Sequence, residues 1–177
     1  GREGGTGSVD WKYREKDSAL KIVGCLKQIL DGTDIKAYYT RLDDRDISKR
    51  DRVRLAKDAG ADVLISVHCN ASDAYDTTAK GVETLYSGRK KTTAGNLSSR
   101  QLAKDILDEV CETTGRQRRK VIRRDQLYHA DVPVTIVEVG YMTNRSDMRY
   151  LKKQKNQREI AQGIYNGLCK SLQRIEK

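Results

Sequence analysis

Asp62-Val63-Leu64-Ile65-Ser66-Val67-His68-Cys69-Asn70-Ala71-Ser72 is the stretch on which the fold turns. Val63, Leu64, Ile65 and Val67 make its first half nearly continuously apolar and rich in β-branched side chains. A strand with one face in water alternates apolar with polar residues. A strand covered on both faces does not, and this is the pattern of parallel sheets wrapped by helices. A second run, Val134-Thr135-Ile136-Val137-Glu138-Val139, reads the same way, with Pro133 at its entry where a proline is tolerated. Around these two strands the periodicity changes to that of helices. Ala19, Leu20, Ile22, Val23, Leu26, Ile29 and Leu30 predict a helix over Glu15–Leu30, ended by Asp31-Gly32-Thr33-Asp34. Ile35–Thr40 is expected as a strand and Ser48–Ala59 as a charged helix stopped by Gly60. Val82–Tyr86 is another expected strand, Asn96–Thr113 an amphipathic helix, and residues 146–151 and 157–175 close the chain as helices. Residues 1–14, glycine-rich and polar, read as a loop, and the basic run Arg116–Arg124 as a surface crossing. Strands alternating with helices predict one α/β domain over residues 1–177, a largely parallel twisted sheet flanked by helices.

The 177 residues suffice to bury a core of their own, and 37% of them are hydrophobic against 34% charged. The net charge of +10 favours an anionic partner, and nucleic acid, an acidic membrane surface and an anionic wall polymer satisfy it equally. No apolar run approaches the ~20 residues that cross a bilayer, so no transmembrane segment is expected, nor does the N-terminus read as a signal peptide. Arg116-Gln117-Arg118-Arg119-Lys120, Arg123 and Arg124 could contact phosphates, but stacking aromatics are thin, with no Phe and the single Trp11. A solvated basic face is the simpler reading, and no specific nucleic acid is expected. Cys25, Cys69, Cys111 and Cys169 form no CxxC pair and read as small buried thiols.

Three side chains stand out chemically. His68, one of only two histidines, sits at the carboxyl end of a buried strand, where open α/β sheets place their sites. Glu138 lies inside a β-branched apolar run, where a carboxylate is costly unless paired, ligated or functional, and where burial raises its pKa toward the range of a general base or acid. Glu15 opens a helix, where an acid is favoured by the dipole whatever else it does. Taken together, His and Glu ligands with a nearby proton-carrying Glu suggest a mononuclear zinc hydrolase.

The order of blocks is recognisable. Glu15, Thr40-Arg41, the run Ala61–Ala71 with its Ser66-Val67-His68-Cys69-Asn70, Gly81-Val82-Glu83, and the run Val132–Asn144 with Glu138-Val139-Gly140-Tyr141-Met142-Thr143-Asn144 span nearly the whole chain. On these blocks the sequence resembles the zinc-dependent N-acetylmuramoyl-L-alanine amidases, the family often called amidase type 3. That resemblance implies Glu15 and His68 as ligands of Zn2+ and Glu138 as the catalytic carboxylate. It implies cleavage of the peptidoglycan amide between N-acetylmuramic acid and L-alanine of the stem peptide, by zinc-activated water with Glu138 shuttling the proton, and an extracytoplasmic location, in the cell wall or secreted. Asn70 is expected to shape the loop at the strand end, and Arg41 to be structural.

The sequence departs from the family in one respect. Family members carry another zinc-binding histidine in a Gly-His-Gly turn that ends the first strand, and the sequence begins at Gly1 with neither that histidine nor most of that strand. The expectation is an N-terminally incomplete first strand. The alternative is an amidase-fold domain that binds peptidoglycan or a partner without catalysis. His129 is expected at the opposite end of its strand from Glu138, as a surface or substrate-contact residue.

Overall fold

The computed structural model describes residues 13–72, 76–88, 93–125 and 127–175. The expectations for the glycine-rich segment, apart from Tyr13 and Arg14, and for Trp11 fall outside them.

Helix α1 spans Glu15–Leu30 as its periodicity requires, burying Ala19, Ile22, Leu26 and Leu30. Helix α2, Lys49–Asp58, is capped by Ser48, whose side chain accepts from the Asp51 N–H. Strand β1 is Leu64–Asn70 and strand β2 Val82–Ser87. A two-residue hairpin, β3 (Thr93–Ala94) and β4 (Leu97–Ser98), leads into helix α3, Ser99–Thr114, which Gly115 ends at φ 65°. Strand β5 is Arg118–Arg124 and strand β6 Val134–Tyr141. Helices α4 (Arg145–Leu151) and α5 (Gln154–Leu172) follow.

The main sheet runs β1-β6-β2-β5. Its β1/β6 and β2/β5 pairings are parallel, whereas β2 and β6 are antiparallel, so the sheet is mixed. Alternation sorts its two faces. Ile65, Val67, Cys69, Val137 and Val139 join the core shared with α1, α3 and α5. On the opposite face Leu64, Leu85, Val134 and Ile136 pack with Val53 of α2 and with Leu127 and Tyr128. Helices α3 and α5 meet at two glycines: a Cβ on Gly163 would lie 2.6 Å from Val110 Cα, and one on Gly167 2.5 Å from Ile106 Cα.

Two local expectations change. The basic run is not a surface crossing but the strand β5, which among the described residues pairs with β2 alone and so forms an edge. Charge suits such an edge, where unpaired backbone would otherwise recruit another strand. Most of its cations have acids beside them: Arg118 pairs with Asp108, Arg119 with Glu83 and Arg123 with Asp125. Ile35–Thr40 does not enter a sheet. Its exposure does alternate, with Ile35 and Ala37 turned to the core and Lys36 and Tyr38 outward. What it lacks is a neighbour among the described residues: β1 ends the sheet they form on this side, and a cavity of about 550 Å3 is lined by residues of both β1 and the 35–41 segment.

All four cysteines are free. Among the described residues no helix is long and apolar enough to cross a membrane.

Candidate active site

The parallel register of β1 and β6 sets His68 beside Glu138, and the antiparallel register of β6 and β2 sets Glu83 on the other side of Glu138. The three therefore form one row across the sheet, on the face away from α1, α3 and α5. Val67 and Val137, their neighbours in sequence, belong to the opposite face.

Glu15 comes to this row from outside the sheet. It occupies the first turn of α1, and its Oε1 lies 2.7 Å from His68 Nδ1 and accepts from the Cys69 N–H at 3.4 Å. An ionised carboxylate can only accept, so Nδ1 carries the proton in this pair. On the other side of the ring Nε2 is 3.0 Å from Ser66 Oγ, and Ser66 Oγ is 3.1 Å from the Tyr128 hydroxyl. The ring is held by both nitrogens, and its tautomer follows from the Glu15 contact.

Glu138 and Glu83 differ sharply in surroundings. Glu83 Oε1 accepts from Asn70 Nδ2 at 2.7 Å, and Oε2 lies 3.1 Å from Arg119 Nε. The Arg119 guanidinium also stacks 4.9 Å from the centre of the Tyr141 ring. Glu138 Oε2, by contrast, is buried without a hydrogen-bond partner among the described residues. Burial pushes the Glu138 carboxyl up to about 7; His68 opposes the shift, while the negative charges of Glu15 and Glu83 add to it. A carboxylate with an idle oxygen and a titration point near neutrality is equipped to take up and release a proton.

The structure thus brings Glu15, His68 and Glu138 together and leaves His129 apart, exposed on the segment that leads into β6. Among the described residues no basic side chain forms an ion pair with Glu138 in the way Arg119 does with Glu83. Asn70 does shape the strand end, its Oδ1 accepting from the Ala71 N–H at 2.8 Å, and it also anchors Glu83. Arg41 is structural, donating to the carbonyls of Lys16 and Asp43. Sequence reasoning did not single out Glu83, Arg119 or Tyr128 for the site. Glu83 carried a signal, a lone carboxylate within Val82–Ser87, of the kind that marked Glu138. Below the row, Asp147 accepts from the N–H groups of Gly81 and Tyr141, each at 2.9 Å, and pairs with Arg116 at 2.6 Å, both side chains buried.

As a metal site the arrangement is partial. Glu15 and His68 have the donor chemistry of zinc ligands, and they face each other directly at 2.7 Å. Among the described residues no group of three His, Cys, Asp or Glu side chains could hold a metal ion.

A family model described as N-acetylmuramoyl-L-alanine amidase matches residues 1–170. Among curated proteins, the chain is 26% identical over 181 residues to the germination-specific N-acetylmuramoyl-L-alanine amidase of Bacillus subtilis, covering 93% of this chain and 73% of that one. It is 28% identical over 164 residues to the N-acetylmuramoyl-L-alanine amidase LytC of the same organism, covering 92% of this chain but 32% of LytC. Among solved structures, that of an N-acetylmuramoyl-L-alanine amidase from Clostridium difficile 630 superposes with a TM-score of 0.87 at 32% identity, over 98% of this chain and 91% of that one.

Proposed function

Since the chain belongs to the N-acetylmuramoyl-L-alanine amidase family, we propose that it hydrolyses the amide joining N-acetylmuramic acid to the L-alanine of the stem peptide, with Glu15 and His68 as ligands of a catalytic zinc ion and Glu138 as the proton carrier. The observation that carries this reading is the state of Glu138: a buried carboxylate oxygen with no hydrogen-bond partner among the described residues, titrating near neutrality, one rung from a histidine that already faces a second carboxylate.

A zinc ion, when bound, supplies Lewis acidity toward the amide carbonyl and lowers the pKa of a water molecule. The rest falls to the chain. At neutral pH a substantial fraction of Glu138 is ionised and able to accept the proton of the attacking water. The same carboxyl, now protonated, is acidic enough to pass the proton to the departing amine nitrogen of L-alanine, which could not leave as an amide anion. The Glu83 carboxylate is engaged instead by Asn70 and Arg119. Ser66 and Tyr128 fix the plane of the His68 ring. The activity is placed outside the cytoplasmic membrane, in the cell wall or secreted, with peptidoglycan as the partner.

The test is release of peptides with a free L-alanine amino terminus from purified peptidoglycan, by the 177-residue chain supplied with zinc. Glu138→Gln should lower release by about 100-fold or more with zinc content unchanged. Glu15→Gln and His68→Ala should lower zinc content itself, read by elemental analysis after dialysis. Absence of release at any zinc concentration would sink the amidase reading for this chain.

A further inference from the structure

Positive charge is unevenly placed on this chain of net charge +10. On β5 much of it is balanced where it stands, since Arg118, Arg119 and Arg123 each have an acid beside them. The same holds for Lys104, Lys170 and Arg174 along α3 and the end of α5. The junction of α4 and α5 differs. Arg149, Lys152, Lys153, Lys155 and Arg158 are all exposed there. The acids of residues 145–159 are Asp147, which is buried against Arg116, and Glu159. Glu159 is shared between the Tyr150 hydroxyl at 3.0 Å and Lys155 at 3.8 Å. Arg149, Lys153 and Arg158 form no ion pair among the described residues.

A third chain passage joins this junction. Tyr13, just ahead of α1, donates its hydroxyl to the Leu151 carbonyl at 3.3 Å, and Gln157 Nε2 donates to both, at 3.2 and 2.7 Å. The ring fixed in this way is flanked by two ammonium groups, Lys21 Nζ at 5.5 Å and Lys152 Nζ at 5.6 Å from its centre. Lys21 of α1 therefore belongs to the same patch, and buried hydrogen bonds hold the patch together. Gathering these cations works against the fold. Arg149 with Lys152, and Lys155 with Arg158, stand three residues apart, where like charges on a helix repel. A polyanion laid over them relieves that repulsion.

We propose that this patch binds a flexible phosphodiester polyanion, a polyol-phosphate chain of the wall, through Lys21, Arg149, Lys152, Lys153, Lys155 and Arg158. Ammonium and guanidinium groups both make charge-assisted hydrogen bonds to phosphate oxygens, and a flexible chain can set successive phosphates on cations from separate passages. The large apolar side chains exposed among the described residues, Tyr38, Leu42 and Leu55, lie in other segments, so these passages offer nothing to sink into a bilayer. Their tyrosines give bases no stacking platform either: Tyr13 is buried, and the Arg116 guanidinium covers the Tyr150 ring at 4.5 Å. Tyr13 lies two residues ahead of Glu15, so a chain held here runs beside the candidate active site. The choice of the wall as the source of the phosphates rests on the amidase reading; the binding does not.

The test is equilibrium binding of the zinc-free 177-residue chain to fluorescently labelled poly(glycerol phosphate), read by anisotropy. Arg149→Gln, Lys153→Gln, Lys155→Gln and Arg158→Gln together should weaken binding by about tenfold or more. Removing the same charge elsewhere, by Lys49→Gln, Arg50→Gln, Lys57→Gln and Lys120→Gln, should weaken it by less than about threefold. All eight side chains are exposed, and matching urea midpoints would show that both variants fold. The proposal fails if the parent chain does not bind, or if the two variants lose affinity equally, which would leave net charge as the whole cause. It fails too if the patch substitutions weaken binding to phosphatidylglycerol vesicles or to duplex DNA as much as to the polymer. Hydrolysis enters none of these readouts. Peptide release without polymer binding would end this inference and leave the amidase reading standing; polymer binding without release would do the reverse.

Discussion

Replacing Glu138 by glutamine should stabilise the protein, and only above about pH 4.5. The carboxyl is raised from 4.5 to about 7 in the folded chain, chiefly by burial. Between those two values the unfolded chain has released its proton while the native one retains it, so native stability falls as pH rises through this window and levels off above it. Each pKa unit corresponds to about 1.4 kcal/mol, so the full penalty is about 3 kcal/mol, and partial solvent access to the residue brings it nearer 2. Glutamine has almost the same shape and no charge to desolvate. Urea denaturation of the metal-free proteins, with chelator present, should therefore give nearly equal stabilities at pH 4 and a variant more stable by about 2–3 kcal/mol at pH 8.5. A gap of the same size at both pH values, or a variant less stable at pH 8.5, would refute the claim that Glu138 is a buried, uncompensated carboxylate. The assignment joins stability to function: the strain removed by the glutamine is what sets the titration point a proton carrier needs.

Other outcomes follow from named contacts. Arg119→Met should destabilise the fold by about 3 kcal/mol in chemical denaturation, because it strands the Glu83 carboxylate, which is 8% exposed; Arg119→Met combined with Glu83→Gln should recover most of that loss. Gly163→Ala should cost about 1–3 kcal/mol in the same assay despite the helix-propensity gain, since the new methyl would lie 2.6 Å from Val110 Cα, a backbone atom with nowhere to go. Tyr128→Phe should cost about 1 kcal/mol through loss of the hydroxyl contact to Ser66, measured by thermal or urea unfolding at pH 7.

Much of this architecture is legible in the sequence, for definite reasons. Leu64–Asn70 and Val134–Tyr141 are buried on both faces, and continuous apolar runs are the direct imprint of that burial. Helix α1 matches its expected bounds because its inner face repeats at helical spacing without interruption. The site row was reachable because Glu138 and His68 are polar residues inside or at the end of such runs. Strand β5 was hidden for the converse reason: an edge strand carries charge, and a run of arginines looks like any exposed loop. Ile35–Thr40 has the alternation of a strand but no ladder, because local pattern cannot say whether a neighbour is present. Tyr128 is brought to Ser66 from 62 positions away, and no spacing rule in a single sequence announces such a contact.

Asp147 ties three separate chain passages to one carboxylate: the approach to β2 at Gly81, the end of β6 at Tyr141, and the exit from α3 at Arg116. Because the three share a single anchor, they cannot loosen one at a time. Any fluctuation large enough to free one of them leaves a buried charge to be accommodated by the other two, so this corner should open as a unit or stay shut. A cleft framed in this way would meet its substrate with a rigid rim on the β2 and β6 side, and whatever adaptation a long glycan strand demands must come from the opposite side, where β1 ends the sheet.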